Sequence, residues 1–184
     1  MMKDLSWKKI SSEYISKDIW GTVRRDVCQT TEGKIINPYY VYEFPTWVSA
    51  VAITKEGKII MERQYRYALD VTCYEIPGGC VDETDSSLEM AIERELLEET
   101  GYRFTQFEYL GKISSNPSTN NNWMHMYLAT GGQYEKDQEL DHNEEIEVYL
   151  FTIDEVKKLL SENKIVQSMH VATLYYALAK MKSL

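Results

Sequence analysis

Three glutamates lie close together in the segment RELLEETGY, residues 94–102. Glu95, Glu98 and Glu99 are three and four positions apart, so a helix would make them neighbours. Like charges at this spacing repel one another, and carboxylates beside an apolar stripe are costly unless they are paired or bind a metal. Carboxylate oxygens suit a hard divalent cation such as Mg²⁺ or Mn²⁺. The spacing therefore indicates a cation site, with a solvated acidic face as the alternative.

A helix over SLEMAIERELLEET is predicted to carry these acids. Apolar residues recur every four positions from Leu88 to Leu96 and define its buried stripe. Ser86 and Glu89 form an S-x-x-E capping box at its start, and Gly101 provides a C-cap at its end. The preceding turn, PGG, can bring a backbone carbonyl close to a cation. These features favour the cation site over the solvated face.

Most of the remaining elements are predicted to be strands. Residues 1–44 read as a β-rich annex, with YISKDIW as the first strand and Gly33 in a turn. The segment KEG, with Gly57, indicates a hairpin between WVSAVAIT and KIIMERQYR. Three more strands follow the central helix, namely QFEYLGKIS, WMHMYLAT and EIEVYLFT. A Thr152–Glu155 capping box opens a further helix, and a last helix is predicted from about Ser168 to Lys182.

Composition narrows the class of protein. A chain of 184 residues can bury one core, so a single domain over residues 45–184 with the annex before it is expected. The formal net charge of −9 argues against a nucleic-acid partner. The three cysteines lack CxxC spacing, and no apolar run is long enough to span a membrane. We therefore expect a cytoplasmic protein that binds neither membrane nor nucleic acid.

The segments EIPGG and RELLEETGY resemble the signature of the Nudix hydrolase family. The resemblance covers Arg94 to Tyr102 at the family's fixed spacing. It implies a mixed α+β or α/β fold, an α/β/α sandwich around a mixed sheet. The residues that it would assign to Mg²⁺ or Mn²⁺ are Glu95, Glu98, Glu99 and the carbonyl of Gly78. Arg94 would orient the acids, and Gly79 and Gly101 would be structural glycines of the motif.

The sequence departs from the family pattern before Arg94. One residue too many lies between Gly79 and Arg94, and Ser86 stands where the family has its first glutamate. Asp85 is the nearest acid that could replace that glutamate.

The segment RQYRYALDVTCYEIPGG resembles the ADP-ribose pyrophosphatase branch of the family. The resemblance gives Arg66 a role in binding the substrate. It implies hydrolysis of the diphosphate linkage in ADP-ribose or another nucleoside diphosphate sugar, a small-molecule nucleotide substrate. It also implies a homodimer in which the N-terminal strands complete the neighbour's site.

The family reaction needs a group that takes a proton from water or orients the water. In this branch the group is an acid on a loop between the later strands, and DHNEEIEV resembles the end of that loop. Glu144 is the first candidate, followed by Glu145 and Glu139. Glu99 is also assigned to catalysis through its place in the motif.

Other functions remain open at this level. A Nudix enzyme could act on a dinucleotide polyphosphate, NADH or a nucleoside triphosphate, and a Nudix-like domain could bind a nucleotide without cleaving it. Aromatic side chains that could stack on a base are Trp47, Tyr39, Tyr40 and Tyr42, although strand aromatics more often belong to a core. The three histidines, His125, His142 and His170, lack metal-ligand spacing.

Overall fold

The structure, a computed structural model, describes residues 2–18 and 21–183. It separates into two compact units. The first contains Met1–Pro45 and Ser114–Asn122, so it takes in the predicted annex and, in addition, a segment from the middle of the chain. The second contains Thr46–Ile113 and Trp123–Leu184. No helix in the described part of the chain combines the length and the apolar character needed to cross a membrane.

The first unit contains an antiparallel sheet with the strand order β1-β2-β3. Its strands are β1 (Lys8–Ser16), β2 (Thr22–Gln29) and β3 (Ile35–Glu43). All nine residues of β1 are exposed. The predicted first strand, YISKDIW, was wrong in its bounds, because pairing with β2 extends β1 back to Lys8. Two residues of that prediction, Ile19 and Trp20, lie outside the described residues.

The second unit is built on a seven-stranded mixed sheet. Its strands are β4 (Trp47–Thr54), β5 (Ile59–Arg66), β6 (Val71–Glu75), β7 (Tyr102–Arg103), β8 (Gln106–Ile113), β9 (Met124–Tyr134) and β10 (Ile146–Phe151). The path β10-β5-β4-β9-β7 is parallel between β4 and β9 and antiparallel elsewhere, with β6 beside β5 and β8 beside β9. Gly57 has φ 76° in the tight turn between β4 and β5, as the predicted hairpin requires.

Helices cover both faces of this sheet, which confirms the predicted α/β/α sandwich. They are α1 (Leu88–Thr100), α2 (Ile153–Ser161) and α3 (Ser168–Lys180). The core on one face joins α1 to the sheet through Ile92, Leu96, Val48, Ala50 and Ile60. The core on the other face joins α2 and α3 to it through Val156, Leu174, Ala177, Val51 and Ile59. The central strands β4, β5 and β9 alternate between the two cores, as strands buried on both faces require.

The predicted capping box of α1 was wrong by one position. The N-cap is Ser87, whose side chain accepts a hydrogen bond from the Met90 N–H at 3.1 Å. Gly101 ends the helix in the left-handed conformation with φ 74°, as predicted for a C-cap. The capping box of α2, formed by Thr152 and Glu155, is present as predicted.

The sheet opens between β4 and β5, and this opening places the motif. The two strands pair at Ile53 and Ile59 and then diverge. Residues 77–79 enter the gap, where the Ala50 N–H donates to the Pro77 carbonyl at 3.1 Å and the Val48 N–H donates to the Gly79 carbonyl at 2.9 Å. The PGG turn is therefore fixed beside β4 and underneath α1.

Candidate active site

Two of the three motif acids are buried against the sheet. Glu95 is 9% exposed and Glu99 is 5% exposed, whereas the side chain of Glu98 retains 36% exposure. The helical spacing predicted that the three acids share one face. In the structure two of these carboxylates are buried and one is partly exposed. Buried carboxylates need a partner, so the contacts of these groups decide what the site can do.

The Arg94 guanidinium is the centre of the ion pairs beside α1. Its Nη1 lies 2.9 Å from Glu98 Oε2 and 3.1 Å from Glu95 Oε1. Its Nη2 donates to the Cys80 carbonyl at 2.9 Å. Arg94 therefore contacts two of the acids and the end of the PGG turn together, which is an arrangement able to orient them.

Asp85 supplies a carboxylate for Arg94 from the loop before α1. Arg94 Nε lies 3.2 Å from Oδ1 and Nη2 lies 2.9 Å from Oδ2, and the Asp85 side chain is 5% exposed. The hydrogen bond from Arg94 holds the pKa of Asp85 below its ordinary value. Ser86 instead faces Met90, with Oγ 2.7 Å from Sδ. The longer loop thus presents an acid one position before the place expected from the family pattern.

The two glycines of the PGG turn let the acids approach the backbone. The Gly78 N–H donates to Glu99 Oε2 at 2.8 Å. A Cβ at Gly78, where φ is 151°, would lie 2.2 Å from the Val48 carbonyl oxygen. A Cβ at Gly79 would lie 2.5 Å from Glu95 Oε1. Any larger residue at either position would displace the turn or the acids.

Burial and mutual repulsion make ionisation of the acids unfavourable. Burial raises the pKa of Glu95 to about 7 in spite of the attraction of Arg94. It also raises the pKa of Glu99 well above its ordinary value, and the carboxylates of Glu62, Glu95 and Glu144 raise it further. The Gly78 N–H offsets only part of the effect on Glu99.

Glu62 is a site residue that the sequence interpretation missed. It lies on β5, is 4% exposed, and acts electrostatically on Glu99. In the sequence, Glu62 lies two positions after Ile60 in the predicted strand KIIMERQYR. Strand alternation places the two side chains on the same face of the sheet. Period-two alternation alone does not tell which face of a doubly covered sheet lies under the acids.

Arg66 forms a bidentate ion pair at the end of β5. Its Nε and Nη2 donate to the two carboxylate oxygens of Glu75, each at 2.7 Å. Although burial acts in the opposite direction, the bond from Arg66 holds the pKa of Glu75 below its ordinary value. Glu75 is also approached by Cys73 Sγ at 3.2 Å and by His170 Nδ1 at 3.3 Å. Burial lowers the pKa of His170 to about 4, so its ring is neutral near pH 7.

The loop between β9 and β10 is tied to the end of α1. The Gln138 side-chain amide donates to the Glu99 carbonyl, and the Glu139 N–H donates to the Glu98 carbonyl at 2.9 Å. Carbonyls in the last turn of a helix lack intrahelical partners, and these bonds satisfy two of them. The loop is therefore held over the acidic end of the helix.

This loop brings one of the three candidate bases to the acids. Glu144 is partly buried, and its charge contributes to the raised pKa of Glu95. Its Oε2 accepts a hydrogen bond from the Asp141 N–H at 3.0 Å. Glu145 is exposed, and Glu139 is exposed and paired with Lys136 at 2.5 Å. The placement favours Glu144 among the three.

The aromatic and histidine candidates are spread over several elements. The tyrosines named for base stacking lie on β3: Tyr39, Tyr40 and Tyr42. Trp47 packs against the methionine cluster of Met124, Met126 and Met169. His125 Nδ1 lies 3.0 Å from the Tyr109 hydroxyl, and His142 is exposed on the β9–β10 loop.

Comparison with known proteins identifies the family of this site. Residues 44–170, which contain every acid described above, match the model of the NUDIX domain. The chain belongs to the Nudix family. Residues 7–42, which precede the NUDIX domain, match the model of the nucleoside diphosphate sugar hydrolase N-terminal domain.

Named relatives of this Nudix hydrolase include two bacterial proteins that align over most of its length. An ADP-ribose pyrophosphatase of Bacillus subtilis is 30% identical over 177 residues, which cover 95% of this chain and 94% of that protein. A methanol dehydrogenase activator of Bacillus methanolicus is 34% identical over 137 residues, 74% of each chain. The resemblance to the ADP-ribose pyrophosphatase branch is thereby confirmed.

A solved structure shows the same fold. The crystal structure of an ADP compounds hydrolase covers 100% of both chains with a TM-score of 0.84, at 21% sequence identity. At this identity the match supports the Nudix fold and is no guide to the substrate.

The donor groups of this Nudix hydrolase fit a hard cation. Within residues 2–18 and 21–183, no three His, Cys, Asp or Glu side chains converge as a ready-made metal centre. Arg94 holds Glu95 and Glu98, and the Gly78 N–H holds Glu99. Burial nevertheless raises the pKa values of both Glu95 and Glu99. Carboxylate oxygens are the ligands that Mg²⁺ and Mn²⁺ prefer, and a bound cation would favour the ionised form of these buried acids.

Proposed function

We propose that this Nudix hydrolase cleaves the diphosphate linkage of ADP-ribose, or of a related nucleoside diphosphate sugar, and that it requires Mg²⁺ or Mn²⁺. The observation that carries the proposal is the pair of buried carboxylates, Glu95 and Glu99, placed against the Gly78–Gly79 turn. The Bacillus subtilis ADP-ribose pyrophosphatase, aligned over nearly the whole chain, supports the choice of substrate.

The residues that would hold the cation are Glu95, Glu98, Glu99 and the carbonyl of Gly78. A bound divalent cation would neutralise phosphate oxygens and lower the pKa of a bound water. Arg94 would keep the acids oriented, because it already contacts Glu95 and Glu98.

Arg66 would bind the diphosphate of the substrate. Glu75 accepts from the Nε–H and from one N–H of Nη2, and about half of the arginine side chain stays exposed. The remaining N–H groups of the guanidinium can donate to phosphate oxygens. The buried carboxylate thus fixes the direction in which these donors point.

Glu144 would take the proton from the attacking water or orient that water. A carboxylate in this role must lie near the acids without being fully paired. Its partial burial and its electrostatic effect on Glu95 and Glu99 satisfy this condition better than the placement of Glu145 or Glu139.

The proposal is tested by product analysis with a panel of substrates. The purified chain is incubated with ADP-ribose, nucleoside diphosphate sugars, dinucleotide polyphosphates, NADH and nucleoside triphosphates, each with Mg²⁺ or Mn²⁺. We expect metal-dependent release of AMP and ribose 5-phosphate from ADP-ribose at the highest kcat/KM. A clear preference for one of the last three substrate classes would contradict the assignment. Tight nucleotide binding without turnover would instead identify a non-catalytic nucleotide-binding domain.

The role of the motif acids is tested with two variants of α1. Glu99→Gln removes a charge that the proposed site needs, and we expect kcat to fall by about a hundredfold or more. Glu93→Gln is the matched control, because Glu93 lies on the same helix but pairs with Arg103 at 2.9 Å. Full activity of Glu99→Gln would refute the proposed metal site.

We also propose that the chain forms a homodimer through the sheet of the first unit. The support is that β1 exposes both of its faces, with Ile10 51% and Ile15 55% exposed. A strand of this kind gains stability when a second copy covers its apolar side chains.

A further inference from the structure

Glu62 has an oxygen that nothing in the described chain binds. Its Oε1 is buried and has no hydrogen-bond partner among the residues that the structure describes. The whole residue is 4% exposed. An unpaired carboxylate in such a position is among the least favourable groups that a core can contain. Its presence in the middle of β5 therefore needs an explanation.

Strand alternation places Glu62 on the side of the sheet that α1 covers. Ile60, two residues earlier, packs in the same core as α1, whereas Ile59 and Met61 pack in the core beneath α2 and α3. The cross-strand neighbour of Glu62 on β10, Val148, also packs against the α1 core. The Glu62 carboxylate is thus directed to the face that carries the motif acids.

Acids surround Glu62 on this face. Glu75 is its cross-strand neighbour on β6, and Glu99 of α1 and Glu144 of the β9–β10 loop both lie within electrostatic range. The base that acts on it is Arg66, whose guanidinium is already engaged with both oxygens of Glu75. A cation from solution would supply the positive charge that the chain does not.

We propose that Glu62 is a further ligand of the divalent cation, supplied by β5 in addition to the ligands on α1. The inference rests on the proposed function, because it assumes that a cation binds at Glu95 and Glu99. It goes beyond the Nudix motif, since Glu62 lies outside the segment that resembles the signature. The competing explanation is that Glu62 stays protonated and has only a structural role.

The test measures Mn²⁺ binding by electron paramagnetic resonance, without substrate, in wild type and variants. Glu62→Gln keeps the side-chain shape and removes the charge, and we expect the Kd for Mn²⁺ to rise by about tenfold or more. Glu62→Asp keeps the charge on a shorter side chain, and its affinity should lie between the two. Glu108→Gln is the matched control, because Glu108 is also a strand glutamate but pairs with Lys180. Its Kd should equal that of wild type.

Thermal unfolding without metal separates ligation from folding. Glu62→Gln keeps the side-chain shape and places no charge among the neighbouring acids, so its metal-free Tm should equal or exceed that of wild type. The rise in Tm caused by Mn²⁺ should be smaller in this variant. A Kd for Mn²⁺ within twofold of wild type in both Glu62→Gln and Glu62→Asp would overturn the inference.

Glu99→Gln distinguishes failure of the inference from failure of the proposed function. If this variant loses Mn²⁺ affinity and the Glu62 variants do not, Glu62 is not a ligand but the motif site stands. If wild type itself binds no Mn²⁺, both the metal requirement and the role of Glu62 are wrong.

Discussion

Glu95 shows how a single buried acid couples stability to pH. The folded protein keeps the Glu95 proton up to about pH 7, whereas the unfolded chain releases it near the ordinary pKa of 4.5. Between these values the folded state binds more protons than the unfolded state, so this residue lowers the free energy of unfolding as pH rises. His170 acts in the opposite direction below pH 6.5, because its pKa is lowered to about 4. The effect of Glu95 is therefore best measured as the difference in the free energy of unfolding between wild type and a variant without the Glu95 carboxylate.

We predict that Glu95→Gln gains stability over metal-free wild type as pH rises. The difference in the free energy of unfolding should increase between pH 5 and pH 7 by on the order of 2–3 kcal/mol, and level off above pH 7. Urea unfolding at a series of pH values without metal measures it. A difference that does not change with pH would show that Glu95 titrates normally.

The Arg66–Glu75 pair leads to a second prediction for single residues. Arg66→Lys keeps the positive charge but loses the planar donors, so it cannot bind Glu75 and a phosphate in the same way. We expect KM for ADP-ribose to rise by about tenfold or more with a smaller change in kcat, as determined by steady-state kinetics. Arg63→Lys is the control, since Arg63 pairs on the surface with Glu147. Equal KM values for the two variants would exclude the role of Arg66.

The sequence could identify the site residues whose position depends on local periodicity, but not those whose role depends on tertiary contacts. Glu95 and Glu99 were found because helical periodicity fixes their relation to the apolar stripe without any tertiary information. Asp85 could be named as the nearest acid, yet only the folded loop shows both of its oxygens on Arg94. Glu62 was missed, because its importance depends on which helix covers its face of the sheet.

At the scale of elements, α1 starts one residue later than its sequence suggests. Ser86 and Glu89 match the capping-box pattern, but Ser87 provides the cap to the Met90 N–H. The Asp85–Arg94 ion pair explains the shift, because it holds the preceding residue against the helix and leaves Ser86 outside the first turn. A local pattern was overruled by a contact with a residue nine positions away.

Two serine variants test the position of this cap. Ser87→Ala should lower the free energy of unfolding by about 1 kcal/mol, because the Met90 N–H loses its acceptor. The corresponding fall in Tm is about 2–4 °C for a chain of this length. Ser86→Ala should change stability by less than about 0.5 kcal/mol. Thermal denaturation that ranks the two serines in the reverse order would contradict the assignment of Ser87.

The bounds of β4 in the second unit were predicted more accurately than those of β1 in the first. WVSAVAIT coincides with β4 because alternating burial between two cores leaves a continuous apolar segment. The short strand β7 was not predicted, since two residues carry no periodic signal. In the first unit, all residues of β1 are exposed. Its sequence therefore has no alternation of buried apolar and exposed polar positions. Where every residue of a strand is exposed, the hydrophobic pattern cannot define the ends of that strand.

At the scale of the whole molecule, the exposed faces of β1 lead to a prediction about assembly. The chain has a mass of 21.5 kDa, and light scattering coupled to gel filtration should give about twice this mass. Ile10→Asp places a charge on the exposed apolar surface of β1 and should shift the protein to the monomer. Lys8→Asp, at the end of the same strand, should leave the mass unchanged. A wild-type monomer would exclude the proposed dimer.

Hydrogen bonds from two backbone amides join the β9–β10 loop to the end of α1. The Glu139 amide is bound to the Glu98 carbonyl, and the Glu135 amide is bound to Gly101. An opening that carries Glu144 away together with the rest of the loop would break both bonds and expose these amides to solvent exchange. We therefore expect the amides of Glu135 and Glu139 to exchange with deuterium at one common rate. Two different rates would instead show that the loop does not open as one unit.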